Sequence, residues 1–365
     1  MSFADMQAAA PLYDHEPTYG PLTPEELALA ARNHAMPTEA LRYDVTPVGL
    51  HYLLVHFDIP AIDPATWRLK IGGGVREPME LTLDDLRERP RRTMAVTMEC
   101  AGNGRATMTP RPLSQPWLGG AVGTAEWTGT PLAPLLAEAG LDEDTVEVAF
   151  LGADRGVQGE EEHDYGRSLT VADATRPGVL LAYEMNGVPL TPQHGSPLRL
   201  VVPGWYGMTN VKWLTSIDAL REPFDGWQQA VAYRYADDAD DPGTPVNRMR
   251  VRSMMIPPGI PDFFTRERIV DAGTLTLRGR AWSGHGSITR VEVAVDGQWD
   301  SAKLDPPDGE FAWRGWSAEW TATPGQYELA CRATDSSGEL QPYHAVWNYQ
   351  GMGNNAVQRV PVTVR

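Results

Sequence analysis

The chain has 365 residues, which exceeds one ordinary domain and suggests two. Hydrophobic residues make up 42% of it and charged residues 22%, a balance typical of a globular protein rather than a disordered or fibrous one. Asp and Glu number 48 against 31 Lys and Arg, and the net charge of −17 disfavours nucleic acids and anionic membranes as partners. A local cluster of basic residues would therefore be informative, because it must reverse the overall field wherever an anion binds.

The N-terminal segment lacks the basic start and apolar run of a secretory signal, and no stretch of about 18 apolar residues could span a bilayer. We expect a cytoplasmic protein by default, with the periplasm as the alternative if an export signal is missing from the chain. The two cysteines, Cys100 and Cys331, lie too far apart for a disulfide framework or a zinc site. Without a CxxCH motif or a cysteine cluster, we expect no haem, and a redox reaction would need a separate electron carrier.

The first two-thirds of the chain mixes helix and strand signals. Three segments begin with a threonine cap followed by proline or an acidic residue, which predicts helices starting after Thr23, Thr82 and Thr130. Strand-like apolar runs lie around them: TWRLKIGG, TMAVTME, TVEVAFLG, GVLLAYEM and PLRLVVPG. Asn186-Gly187 predicts a hairpin turn. Because helices and strands do not alternate regularly, we predict an α+β fold.

The character of the chain changes after residue 236. Residues 237–262 are rich in Asp and Pro without periodicity, and we interpret them as an interdomain linker. The alternating segments ITRVEVAVDGQW, YELACRAT and RVPVTVR follow, with a turn at Asp296-Gly297, and they predict an immunoglobulin-like sandwich. Cys331 should be a buried strand residue of that sandwich. We place the first domain at 1–245, with an N-terminal extension over about 1–45, and the second at 246–365.

Two segments carry residues suited to chemistry. In MECAGNGRATM, residues 98–108, a thiol at Cys100 is followed by a Gly-Asn turn that could expose backbone N–H groups and by the fixed charge of Arg105. A structural cysteine at a strand end fits the same pattern. In TPQHGSPLRLVVPGWYGMTNVKW, residues 191–213, His194, Arg199 and Lys212 suit a bound phosphate or other anion. The alternative is a histidine satisfied by turn backbone and two solvated basic side chains.

Together these segments resemble a known family. CAGN-x-R, then LLAYEMNG, HGxPLRLVVPG and VKW, resemble the molybdenum domain of the sulfite oxidase and assimilatory nitrate reductase family. Downstream, VEVAVDGQW, WSAEWTATPGQYELACRATD and WNYQGMGNNAVQRV resemble its C-terminal dimerisation domain. The resemblance covers nearly the whole chain past about residue 45. It implies a mixed α/β catalytic domain that binds one molybdenum-molybdopterin per chain, followed by the sandwich, in a homodimer.

The resemblance also implies roles for individual residues. Cys100 matches the thiolate ligand of molybdenum, in agreement with the preference of soft sulfur ligands for such a metal. Arg105 matches an arginine of the substrate pocket, and Tyr233 matches an active-site tyrosine, with Tyr235 as the alternative. Cofactor-binding roles are implied for His56, Asn103, Asp154, His194, Arg199 and Lys212.

Two positions depart from the family pattern. Leu54 stands where an arginine is expected, and Gln350 occupies a pocket position that is arginine in animal and plant sulfite oxidases. The anion pocket therefore loses two positive charges and keeps Arg105. Arg32 could supply one charge from another direction, but a solvated helix end is the interpretation that the sequence favours.

The function that the resemblance implies is oxidation of sulfite to sulfate, with electrons passed to an external acceptor such as a cytochrome. Nitrate reduction or another oxygen-atom transfer is the alternative within the family. A cysteine hydrolase using Cys100 with His194 as base is an alternative from a different class. A structural or adhesive chain without catalysis is the third.

Overall fold

The computed structural model describes residues 22–365, so the expectation about an export signal lies outside the described residues. Five short α-helices occur in this range: α1 (Pro24–Arg32), α2 (Leu83–Arg87), α3 (Leu132–Ala139), α4 (Val171–Ala174) and α5 (Trp227–Ala230). Between residues 22 and 365, no helix is long and apolar enough to cross a membrane. Single 3-10 turns cover Thr38–Arg42, Val48–Leu50, Arg105–Thr107, Pro192–His194 and Gly207–Thr209.

Two of the three predicted helix starts are confirmed in detail. Thr23 and Thr82 each accept a hydrogen bond from the backbone of the third helical residue, and the acidic side chain there bonds back to the cap. These capping boxes satisfy backbone N–H groups that the first turn leaves without partners. The third prediction is wrong about its cap, because Thr130 lies within a strand and donates its hydroxyl to Leu86 O. Helix α3 begins instead after Pro131, with no side-chain cap.

Two sheets build the N-terminal part of the chain. Their strands are β1 (Leu69–Gly73), β2 (Met79–Leu81), β3 (Arg92–Glu99), β4 (Val122–Pro131), β5 (Glu147–Gln158), β6 (Glu161–Thr170), β7 (Leu180–Met185), β8 (Val188–Pro189), β9 (Arg199–Val201) and β10 (Leu214–Leu220). One sheet has the order β2-β1-β10-β5-β6, and the other has β3-β4-β7-β8 with β9 also paired to β7. Among the described strands of these two sheets, only β1 and β10 pair in parallel. This mixed arrangement agrees with the predicted α+β class.

The hairpin predicted at Asn186-Gly187 is confirmed between β7 and β8. Both residues adopt positive φ angles, 52° and 76°. This conformation is the one that a two-residue turn matched to strand twist requires, and Asn-Gly is the pair that tolerates it best. The side chains of the N-terminal sheets meet helix α3 in a core that includes Leu69, Leu135 and Phe150.

The C-terminal part is a sandwich of two sheets. Its strands are β13 (Arg252–Met255), β14 (Ile260–Pro261), β15 (Arg268–Val270), β16 (Gly273–Trp282), β17 (Ile288–Val295), β18 (Gln298–Ser301), β19 (Lys303–Leu304), β20 (Arg314–Ala322), β21 (Gly325–Asp335) and β22 (Gln358–Val364). The sheet orders are β13-β16-β20-β19 and β14-β15-β22-β21-β17-β18. Cys331 is fully buried between the sheets, as predicted, and burial raises the pKa of its thiol to about 12.

The segment interpreted as a linker, residues 237–262, contains short strands in the structure. After the two-stranded ribbon of β11 (Arg234–Tyr235) and β12 (Thr244–Pro245), strand β13 begins, and all four of its residues are buried. The segment RSMM lacks alternating polarity because both its faces are covered, so its sequence does not show the period of a half-exposed strand. We propose that the domain boundary lies after Pro245, where the chain leaves the ribbon for the sandwich.

A buried ion pair joins the two parts directly beside Cys100. Arg252 on β13 donates to Glu99 at the end of β3, over 2.7 Å, and both side chains are almost fully buried. Trp282 Nε1 donates to the other carboxylate oxygen of Glu99 over 2.9 Å. The sandwich therefore fixes the position of the residue that precedes the thiol.

Replacing Arg252 with methionine should lower the free energy of unfolding by about 3–5 kcal/mol, because it leaves the Glu99 carboxylate buried without its counter-ion. Urea denaturation of the variant measures this loss. Arg89→Met, which removes a partly exposed pair with Glu138, is the control and should leave stability nearly unchanged. Equal midpoints for both variants would contradict the role of the buried pair.

Candidate active site

Two cavities meet at Cys100. The inner cavity is lined by the basic residues of the 191–213 segment, and the outer cleft, with a volume of about 1020 Å³, reaches the surface beside the C-terminal loop. Four residues line both: Leu54, His56, Cys100 and Tyr233. The thiol therefore stands at the junction between a cationic chamber and a wide cleft. The sequence predicted that Cys100 lies near positions 194, 199 and 212, and the structure places all four in one cavity wall.

The Cys100 loop holds the sulfur by backbone bonds. Cys100 N donates to Ala121 O over 2.8 Å, and Asn103 N donates to Cys100 O over 2.9 Å, which closes a tight turn after β3. Burial raises the pKa of the thiol, while the charge of Arg105, the amide of Gly102 and the indole of Trp117 act in the opposite direction. The site thus surrounds a neutral thiol with groups that would stabilise a thiolate once a cation is bound.

Asn103 has a structural role that the sequence interpretation did not give it. Its side-chain amide donates to Glu99 Oε1 and to Gly119 O, and its carbonyl oxygen accepts from Ala121 N. These bonds, together with the backbone bond to Cys100, satisfy the side chain within the protein. Asn103 lines neither cavity, so the predicted direct contact with a cofactor is not supported, and the residue fixes the loop instead.

Arg105 is a buried cation without a carboxylate partner in the described residues. Its guanidinium donates to Gln350 O over 3.0 Å, to Gln115 O over 3.2 Å and to Met352 Sδ over 3.4 Å. Burial lowers its pKa from the ordinary value. Since backbone carbonyls only partly balance the charge, the outer cleft presents Arg105 as a group that favours an anion near Cys100.

The glycines of the loop make room for side chains of this protein. A Cβ at Gly102 would lie 2.6 Å from both terminal nitrogens of Arg105, and Gly104 has a φ of 83°, with Asn354 against it. The sequence interpretation expected these glycines to bring backbone amides close to a ligand. The N–H groups of residues 103 and 105 are instead bonded within the turn.

Gly102→Ala should therefore displace the Arg105 guanidinium while leaving the fold intact, since the clashing atoms end a flexible side chain. We expect catalytic efficiency toward an anionic substrate to fall about tenfold or more, which equals a loss of about 1.4 kcal/mol in transition-state binding. Steady-state kinetics and a thermal melt test this pair of outcomes. A variant with wild-type kinetics would contradict the placement of Arg105. Gly49→Ala, at an exposed glycine with open space around it and no positive φ, is the control for the substitution itself.

The inner cavity gathers positive charge. Arg199 donates to His194 O over 3.1 Å and to Asn210 O over 3.0 Å, and Lys212 Nζ donates to Leu54 O over 2.8 Å and to Gln193 O over 3.1 Å. Burial, with repulsion from Arg199, lowers the pKa of Lys212 to about 7. Burial and the neighbouring basic groups lower the pKa of His194 to about 3, and burial lowers that of Arg199 to about 10. A bound anion would reverse these shifts, because it supplies the missing opposite charge.

Two further observations fit a bound anionic group with polar edges. Arg199 Nε is buried without a hydrogen-bond partner in the described residues. Asp154 also lines the cavity, and burial raises the pKa of its carboxyl group to about 6, so it can act as donor or acceptor near neutral pH. An unpaired donor beside three basic groups and a carboxyl group fits a pterin with a phosphate. No cluster of three or more His, Cys, Asp or Glu within residues 22–365 could hold a metal alone, and the donor set fits a metal that shares Cys100 with the pterin.

The structure distinguishes the two candidate tyrosines. Tyr233 lines both cavities with a φ of 56°, an uncommon conformation for a residue with a side chain, and burial raises its pKa to about 12. Tyr235 packs under Arg250, whose guanidinium carbon lies 4.4 Å from the ring centre. Tyr233 is therefore the tyrosine that faces the junction.

Gln350, expected in the substrate pocket, lines the outer cleft, and His56, expected to bind the cofactor, lines both cavities. The amide of Gln350 is engaged by the protein, because Nε2 donates to Val231 O over 3.0 Å and Oε1 accepts from Arg234 N over 3.2 Å. The backbone carbonyl oxygen of Gln350 accepts a hydrogen bond from Arg105, so Gln350 influences the cleft by positioning that arginine. His56 Nε2 lies 2.8 Å from Gln158 Oε1, and burial lowers its pKa.

Sequence reasoning missed two residues at these cavities. Trp117 lines the outer cleft, and its buried indole N–H acts on the Cys100 thiol. His51 lines the inner cavity, its ring perpendicular to that of His194 at 5.7 Å, and burial lowers its pKa to about 4. The occurrence of His51 close to His56 in one short segment was a sequence signal that could have identified His51. No local sequence pattern identifies Trp117, because its position beside the thiol is set by the fold of the strand that follows it.

Comparison with known proteins defines the class. Residues 56–228 match the oxidoreductase molybdopterin binding domain, and residues 244–365 match the Mo-co oxidoreductase dimerisation domain. The sulfane dehydrogenase SoxCD from Paracoccus pantotrophus has a similar structure, with a TM-score of 0.79, 26% sequence identity and coverage of 95% of this chain and 90% of that chain. The fold is therefore that of a molybdopterin oxidoreductase.

Relatives narrow the class to a family. The mitochondrial sulfite oxidase of Homo sapiens is 36% identical over 345 residues, with 88% of this chain and 62% of that protein covered. Sulfite oxidase of Gallus gallus is 34% identical over 336 residues, covering 86% and 72%. Nitrate reductase [NADH] of Solanum lycopersicum is 33% identical over 356 residues, covering 88% and 38%. The chain belongs to the sulfite oxidase family of molybdopterin oxidoreductases, and it spans less than two-thirds of the human relative's length.

Proposed function

We propose that this protein oxidises sulfite to sulfate at a molybdenum-pterin group and passes the electrons to an external acceptor, for example a cytochrome. The observation that carries the proposal is the position of Cys100, a buried thiol at the junction of a cationic inner cavity and an arginine-bearing outer cleft. The sulfite oxidases among the relatives support the choice of substrate. The reaction takes its oxygen from water and releases two protons and two electrons.

Each cavity has a distinct task in this proposal. Cys100 would be the thiolate ligand of the metal, and His194, Arg199 and Lys212 would hold the anionic end of one pterin per chain, with Asp154 and His56 at its polar edges. When bound, that group supplies the two-electron redox chemistry. The protein supplies placement, because the Glu99–Arg252 pair and the Asn103 bonds fix the loop that carries the thiol.

The outer cleft would bind and orient the substrate. Arg105 would attract the oxyanion and stabilise charge beside the buried indole of Trp117. Tyr233 would donate a hydrogen bond at the junction, since burial keeps its hydroxyl protonated at all ordinary pH values. His56, neutral at pH 7 because burial lowers its pKa, could accept a proton released there.

One observation favours the family alternative of nitrate reduction or another oxygen-atom transfer. Leu54 presents an apolar side chain to both cavities, and the Gln350 amide is occupied by the protein, so neither adds charge to the cleft. The cysteine hydrolase has less support. In the described residues no hydrogen bond joins the Cys100 thiol to His194, and an imidazole with a pKa of about 3 is a weak base.

We also propose a homodimer formed through the C-terminal sandwich, which the match to a dimerisation domain supports. A two-fold dimer is the commonest assembly for such a chain. Light scattering at micromolar concentration tests it, and a monomer alone would count against it.

Steady-state assays on fully metallated enzyme test the substrate. Sulfite, nitrate and S-oxides are compared with artificial one-electron mediators, and we expect turnover with sulfite to exceed that with the others. If sulfite gives no turnover while nitrate or an S-oxide does, the substrate proposal fails and the cofactor proposal survives.

A further inference from the structure

The N-terminal helix α1 forms one wall of the outer cleft. Leu29 and Arg32, near its C-terminal end, both line the cleft, which Arg105 also lines. This helix precedes the region from residue 56 onward that matches the molybdopterin binding domain. Its contribution to the cleft is therefore not accounted for by that match.

The helix is anchored at both ends, so the fold determines where Arg32 lies. At its start, the buried carboxylate of Glu26 pairs with Arg111, which also lines the cleft. At its end, Asn33 Oδ1 accepts from Val55 N over 2.7 Å. His34 and Leu53 exchange backbone bonds of 3.1 and 2.9 Å. The end of α1 is thus locked against the segment that carries Leu54 and His56.

Arg32 differs from the two cleft arginines that form ion pairs, Arg111 and Arg155. Arg111 pairs with Glu26, and the rim residue Arg155 pairs with Glu162 and Asp164, each over 2.8 Å. Arg32 has no carboxylate partner among the described residues, and its guanidinium donates over 3.3 Å to a backbone carbonyl, His56 O. An exposed arginine bound only to a neutral carbonyl keeps its charge and several donors for an incoming anion.

We propose that Arg32 is a substrate-binding residue that, with Arg105, forms a two-arginine site for an oxyanion in the outer cleft. This rests on the proposed function for its substrate class and goes beyond it by adding a residue from outside the matched domain. Arg105 is buried and acts on the thiol, whereas Arg32 is exposed and lines the same cleft next to His56 O. An anion held between them would approach Cys100 from the cleft side.

Binding of sulfate to the cofactor-loaded protein tests the inference without turnover. Tryptophans 117, 227 and 347 line the cleft, so their fluorescence can follow a sulfate titration. Arg32→Gln should weaken sulfate binding about two- to fivefold at low ionic strength, the range for an exposed charge pair, with a smaller loss as salt is added. Arg32→Lys should retain most of the affinity. If sulfite is turned over, its KM in Arg32→Gln should rise by the same factor with kcat nearly unchanged.

Arg155→Gln is the matched control, since it removes a cleft arginine whose charge is already balanced, and it should leave sulfate affinity unchanged. Equal affinity in Arg32→Gln and the wild type overturns the proposal. So does an equal loss in both variants, or a wild-type protein that binds no sulfate. Normal sulfate binding that depends on Arg32, with no turnover of sulfite, would remove the proposed reaction and leave this inference standing.

Discussion

Cys100→Ser is expected to lower turnover at least about a thousandfold, a loss of roughly 4 kcal/mol in transition-state stabilisation, while leaving the fold intact. Serine has nearly the same shape, and the backbone bonds of Cys100 to Ala121 and Asn103 do not involve the sulfur. An alkoxide is a harder ligand than a thiolate and a poorer match for a metal that prefers sulfur. The variant should therefore retain pterin through the inner cavity and lose activity. Turnover per bound pterin measures the effect.

The second cysteine provides the control for this experiment. Cys331 is buried in the sandwich, away from both cavities, so Cys331→Ala should lower stability by a cavity effect while turnover per bound pterin stays within about twofold. Wild-type turnover in Cys100→Ser would exclude the sulfur from the reaction. Loss of pterin together with activity would show that Cys100 is needed for loading as well.

Lys212→Met should produce opposite effects on the empty and the loaded protein. In the cofactor-free protein Lys212 is a buried cation whose pKa is lowered to about 7 by burial and by Arg199. Removing it should raise the free energy of unfolding by roughly 2–4 kcal/mol below pH 7, since the shift from 10.5 measures the cost of the buried charge. The same change removes a charge-assisted hydrogen bond to an anion, so pterin content after purification should fall about tenfold or more.

The lowered pKa of Lys212 also predicts how the stability difference between Lys212→Met and wild type changes with pH. The pKa of Lys212 is lower in the folded state than in the unfolded state, so the folded protein loses this proton first as pH rises. The destabilisation caused by the buried charge is therefore complete below pH 7. It decreases as pH rises from about 7 to 10.5 and vanishes above that range. The stability gap between Lys212→Met and wild type, from urea denaturation of cofactor-free protein, should narrow accordingly. Lys70→Met, at an exposed position on β1, should show neither effect, and a Lys212→Met variant that is less stable yet keeps full pterin would contradict the account.

Features that depend on neighbouring residues were predictable from the sequence. Capping boxes at Thr23 and Thr82 and the Asn186-Gly187 turn are set within a few residues, so the pattern determines them. The clustering of His194, Arg199 and Lys212 also follows from one strand-turn-strand unit. The alternation of the C-terminal strands predicted the sandwich because each strand has one buried face.

Features that depend on distant parts of the chain were not predictable. Arg105 donates a hydrogen bond to a residue 245 positions away in the chain. The side chain of Asn103 bonds to the loop at residues 119–121, and no local sequence pattern predicts these bonds. The choice between Tyr233 and Tyr235 depends on which side chain faces the cavities, and the positive φ of Tyr233 has no signal in the local sequence. Strand β13 was hidden within a Pro-rich segment because both of its faces are buried.

The central claim is that the sulfur of Cys100 binds molybdenum between the two cavities. Molybdenum K-edge X-ray absorption on the loaded wild type and on Cys100→Ser tests it most directly, because it counts the sulfur atoms around the metal. The account predicts one sulfur fewer in the variant, with pterin still bound. Equal sulfur counts in the two proteins would contradict it.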